Sequence, residues 1–96
     1  MKRAEWTLPA QADLARIDDF YLELSPDFAD RLGREAFLAS RFLAENPRAG
    51  SPVDGAVRKW RIKSFDYVLV YRPTATGVEI LRMHHGRENW RKAYEL

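Results

Sequence analysis

The chain's 96 residues lie near the lower end of what one unaided hydrophobic core can hold, so a single domain spanning 1–96 is expected. A composition of 46% hydrophobic and 31% charged residues excludes a disordered chain, and the absence of cysteine excludes disulfide staples and thiolate zinc sites. A cysteine-free chain suits a reducing compartment, which makes the cytoplasm the expected location.

Arg3 to Leu8 alternates, with Ala4, Trp6 and Leu8 on one side and Arg3, Glu5 and Thr7 on the other, the period of a half-buried edge strand. The basic start Met1-Lys2-Arg3 is followed by Glu5 and the Pro9 to Asp13 stretch, which leave no apolar run for a signal peptide. Nor does any stretch approach the roughly 20 apolar residues of a membrane span. Pro9 suits the first turn of a helix, and Ala10, Leu14, Ile17, Tyr21 and Leu24 follow at spacings of four and three. Ser25-Pro26-Asp27 restarts a helix through a capping hydroxyl, a residue that needs no amide partner and a carboxylate at the positive end of the dipole. The second stripe is Phe28, Leu32, Ala36, Ala39 and Leu43, widened by Leu38 and Phe42, and Pro47 ends it at Asn46. Helices this closely linked form an antiparallel hairpin.

Pro47 to Ala56 holds two prolines and two glycines without periodicity and reads as a loop. Three strands follow: Val57 to Lys63, Tyr67 to Arg72 and, after the turn Pro73 to Gly77, Val78 to His84. The middle strand is apolar on both sides and should be central. Links this short require an antiparallel meander, and the helical hairpin is its available cover. The expected fold class is α+β: an N-terminal strand, the hairpin, a three-stranded antiparallel meander and a short C-terminal tail.

The charge is unevenly placed. Residues 1–56 carry seven Lys+Arg against ten Asp+Glu, a net −3, and residues 57–96 carry nine against four, a net +5. An acidic partner, nucleic acid or peptide, is one reading of the basic part, and plain solubility is the other. Lys59, Arg61 and Lys63 share one face of their strand by parity, either for binding or as edge protection. His84 and His85 point to opposite faces, and His84 is either structural or a proton-handling or contact group. No metal-ligand set or cofactor motif is apparent, and the expectation is that neither is bound. Phe37 and Leu22 lie off their helical stripes, which is ordinary surface or a contact for a partner.

The order of elements, the spacing Ala12-x-Leu14-x-x-Ile17-x-x-Phe20-Tyr21, and the later segments Trp60-Arg61-Ile62, Tyr67 to Arg72 and Val78 to Arg87 with the closing His85-Gly86-Arg87 resemble toxins of the RelE/ParE superfamily. The resemblance covers nearly the whole chain and leans toward the ParE branch. The nucleases of the RelE branch tend to carry a basic residue after the tyrosine that corresponds to Tyr67, where this chain has Val68. The resemblance implies a toxin of a type II toxin–antitoxin system that inhibits DNA gyrase without catalysis of its own, neutralised by a ParD-like antitoxin, with DNA met only indirectly through antitoxin or gyrase. It implies target contacts at Arg82, His84, Arg87, Trp90, Arg91 and Tyr94, and antitoxin contacts at Leu22, Arg34, Phe37, Arg41, Lys59, Arg61 and Lys63. The alternatives are a ribosome-dependent mRNA endoribonuclease using Arg61, Lys63, Arg87, His84 and Tyr94, and an inactive relative that only binds antitoxin.

Overall fold

The computed structural model describes residues 2–86. Strand β1 (Arg3–Trp6) stops earlier than the alternation predicts because Thr7 changes its role. The Thr7 N–H donates to the Ile80 carbonyl at 3.0 Å, while its hydroxyl donates to the Leu81 carbonyl and accepts the Ala10 N–H. One residue thus ends the strand and caps helix α1 (Leu8–Leu24), which leaves Leu8 78% exposed rather than on the strand's inner side.

Ser25 joins the two helices. Its N–H closes α1 on the Tyr21 carbonyl at 2.7 Å, and its hydroxyl accepts the Phe28 N–H at the start of α2 (Pro26–Glu45). At the other end the Asn46 N–H bonds back to Phe42, and Pro47 stops the helix where expected. The buried stripes differ in detail from the periodicity. On α1 they are Ala10, Asp13 and Ile17, with Leu24 exposed at the hairpin bend. On α2 they are Ala29, Leu32, Ala36, Ser40, Leu43 and Ala44, whose small members let the helix lie close to its neighbours. Leu38 and Phe42, expected to widen the core, are about half exposed; the Phe42 ring instead meets Trp60 at the margin of the sheet, centroids 5.3 Å apart. Among the described residues no helix is long and apolar enough to cross a membrane.

The sheet has five strands. Within the stretch expected to be loop, Ser51–Asp54 forms an edge strand, β2, antiparallel to β3 (Val57–Ile62). Its Pro52 is tolerated because an edge strand need donate on only one side, and the pairing is irregular between Pro52 and Asp54. Strands β4 (Tyr67–Thr74) and β5 (Gly77–His85) complete the meander, and the full order is β1-β5-β4-β3-β2. Because the hairpin carries the chain from one edge of the sheet toward the other, β1 lies parallel to β5, with Arg3 opposite Gly77 and Trp6 opposite Ile80. Gly77 sits at φ 148°, and a Cβ there would collide with the Arg3 backbone, so the contact with β1 requires glycine.

Both helices pack on one face of this sheet. Ile17, Leu32 and Leu43 meet Leu69, Tyr71, Ile80 and Met83, all at most 7% exposed. The Tyr71 hydroxyl donates to the Pro47 carbonyl at 2.8 Å and accepts the Gly50 N–H at 2.9 Å, tying the loop before β2 to the centre of the core. Burial raises the Tyr71 phenol's pKa against the opposing pull of the Gly50 N–H and the Arg58 charge. Val57, Val68 and Val70 form a smaller buried group with Val53 and Leu81.

Candidate functional site

Register decides which face each charged side chain takes. Lys59 stands opposite Val70 and Arg61 opposite Val68, whereas Trp60 and Ile62 pair with the helix-facing Leu69 and Tyr67. Lys59 and Arg61 therefore lie on the sheet face turned away from the hairpin, as the alternation predicts, whereas Lys63, expected on the same strand, falls in the turn after β3. With Ala49, Ser51, Asp66, Val68 and Gly86, the residues Lys59, Arg61 and Lys63 line an open basin of about 710 Å3. Arg61 is engaged within it by the Asp66 carboxylate at 3.1 Å. Asp66 occupies the left-handed region at φ 58° in the turn between β3 and β4, and its carbonyl accepts the Gly86 N–H at 2.7 Å. That bond holds the end of β5 against the turn. His85, opposite Tyr67, reaches to 3.9 Å from Asp66 and meets the Tyr67 ring edge-on.

His84 pairs with Val68 and is 3% exposed. Of the other residues considered for target contact or nuclease chemistry, Arg87, Trp90, Arg91 and Tyr94 lie outside the described residues.

Arg82 makes its principal contact inside the fold. A bulge between the Val70 and Tyr71 pairings makes Leu81 an extra residue, and β1 has already ended beside this part of β5. The Asp13 carboxylate of α1 fills that place. It accepts Arg82 Nε at 2.7 Å, Arg82 Nη2 at 3.0 Å and the Met83 N–H at 3.0 Å, and Arg16 adds a contact at 3.3 Å. Burial of this 2%-exposed group raises its pKa, but the bonds from Arg82, Met83 and Arg16 outweigh that and hold it below the usual 3.8. Asp13 is charged, so the apolar periodicity of α1 does not mark it as buried. Its position three after Ala10 and four before Ile17, on the buried stripe, is the available signal.

The residues expected to meet an antitoxin fall on two separate surfaces. Lys59, Arg61 and Lys63 belong to the basin, while Leu22, Arg34, Phe37 and Arg41 are exposed on the hairpin. Arg34 is paired with Asp30 at 2.8 Å, an exposed i, i+4 contact of little energetic weight. Phe37, 58% exposed, walls an open groove of about 400 Å3 together with Trp6, Gln11, Leu14, Ala15, Asp18 and Gly33. Leu38, Phe42 and Trp60 border a second, smaller notch beside Arg61 and Lys63 that the sequence did not reveal, since an amphipathic stripe does not show where its cover ends.

Residues 4–90 match the family described as ParE toxin of type II toxin-antitoxin system, parDE. A protein named Toxin ParE2, from two strains of Mycobacterium tuberculosis, is 31% identical over 78 residues, which span 80% of this chain and 74% of that protein. A solved structure titled Chromosomal ParDE TA system from P. aeruginosa superposes with a TM-score of 0.76 at 27% identity, covering 88% of this chain and 96% of its counterpart.

Proposed function

We propose, from the fact that this chain belongs to the ParE toxin family of type II toxin–antitoxin systems, that it arrests growth in the cytoplasm by inhibiting DNA gyrase and is neutralised by direct binding of a ParD-like antitoxin. The observation that carries the choice of target is the row Arg61, Val68, His84 across β3, β4 and β5. Cleavage of RNA asks for cations around the phosphate and a group that moves a proton. In this row the arginine is paired with Asp66, the middle position is a valine and the histidine is buried. A binding mode of inhibition asks for none of these groups. Antitoxin contact is supported by the apolar groove on the hairpin, where Phe37 stands exposed beside Trp6 and Leu14.

Induction of the full chain in cells lacking antitoxin tests the reading. The DNA-damage response and gyrase-linked strand breaks are expected, and codon-positioned mRNA cuts without them would replace gyrase by the ribosome. Normal growth with neither signal would leave an inactive relative that serves only its antitoxin. A chain ending at Arg87 should lose toxicity while still binding antitoxin, because Trp90, Arg91 and Tyr94 are then absent.

A further inference from the structure

Gly33 lies well inside α2, where glycine is the least favourable residue after proline. The usual structural reason is a neighbour too close to admit a side chain. Here a Cβ built on Gly33 would meet nothing within 4 Å, so the fold itself does not require glycine. Yet Gly33 belongs to the lining of the groove walled by Trp6, Leu14, Ala15 and Phe37. Asp18, on the same lining, makes no ion pair among the described residues, and α1 adds Asp19 and Glu23, both exposed, within the next five positions. A largely apolar trough with the Asp18 carboxylate on its lining complements an amphipathic helix that carries a cation near its apolar face.

We infer that Gly33 is the seat for one bulky aliphatic or aromatic side chain of the antitoxin, that Asp18 pairs with a lysine or arginine about one turn away on the same antitoxin helix, and that these two residues determine which antitoxin fits. This rests on the proposal that an antitoxin binds the hairpin, and it adds the anchor chemistry and the residues that choose the partner. Glycine keeps the seat open at the expense of helix propensity, which has a measurable signature: filling the position should improve the free toxin and damage the complex. A residue serving the fold alone would move both quantities the same way.

The test uses the full chain and the antitoxin encoded beside it, with thermal melting of the toxin and titration calorimetry of the complex. Gly33→Ala should raise the Tm of the free toxin by about 4 °C and weaken binding about tenfold. Gly33→Leu should leave the Tm at or above that of the parent chain and weaken binding about a hundredfold. Asp18→Lys should weaken binding about tenfold and flatten its dependence on salt. Tight binding by the parent chain with Kd within about twofold of it for both Gly33 variants would overturn the seat while leaving the antitoxin reading intact. Failure of the parent chain to bind at all would overturn both. A free toxin that self-associates, and that Gly33→Leu renders monomeric, would assign the groove to a second copy and overturn the inference.

Discussion

Replacing Asp13 by alanine tests how β5 is held. The carboxylate is 2% exposed and accepts two bonds from Arg82 and one from the Met83 N–H. Breaking a buried ion pair costs about 3–5 kcal/mol because it strands the partner charge. Arg82 retains 29% side-chain exposure and can recover some hydration, which places the ionic part toward the lower end. Arg16 is 59% exposed and adds little. The Met83 N–H lies deeper and has no such recourse, a loss of about 1–3 kcal/mol if it stays unpaired. These contributions overlap, and about 3 kcal/mol is the expected destabilisation, a large share of the roughly 5–15 kcal/mol of a typical domain. For a chain of this size that is a fall in Tm of about 12–24 °C. The measurement is equilibrium urea unfolding followed by tryptophan fluorescence and circular dichroism. It should also depend on pH with a definite sign. The folded carboxyl titrates below 3.8, so its stabilisation is complete above the unfolded value near about 4 and is lost as pH falls through the folded value. The gap between the parent chain and Asp13→Ala should therefore narrow in acid. Asp13→Asn keeps an acceptor for Met83 and should lose less. A difference under about 0.5 kcal/mol at pH 7 would refute the clamp, since that is the range of ordinary surface substitutions.

Two further outcomes follow from single contacts. Tyr71→Phe strands the Gly50 N–H and the Pro47 carbonyl and should destabilise by about 2 kcal/mol, with faster hydrogen exchange at Gly50 than elsewhere in the core; an unchanged rate there would mean that the loop is held by other means. Phe37→Ala removes a side chain that is 58% exposed, so unfolding should change by under about 1 kcal/mol while antitoxin affinity falls about tenfold or more. An unchanged affinity would remove Phe37 from the interface.

Local chemistry made much of this protein legible from its residues in order. The caps at Ser25 and Asn46, the helical stripes through Ile17, Leu32 and Leu43, and the alternation that separates Trp60 and Ile62 from Lys59 and Arg61 are all settled within a few positions of chain. Where the candidate site depended on that alternation, the basic face of β3 was visible in advance. The resemblance to RelE/ParE toxins was readable for the same reason, being an order of locally determined elements.

The rest needed contacts between distant residues. Ser51–Asp54 is too short and too rich in turn formers to announce itself, and it becomes a strand only because β3 supplies partners across its edge. Leu38 and Phe42 satisfy the helical period, but the sheet beneath α2 runs out before it can bury them. Asp13 and Arg82 are 69 positions apart, and nothing local to either residue points to the other. The end of β1 and the bulge at Leu81 bring them together, turning a charged residue on an apolar stripe into the anchor of the last strand. Periodicity reports which side of an element a residue occupies. What lies opposite that side, and whether it carries a charge or an unpaired N–H, is decided only when the layers meet.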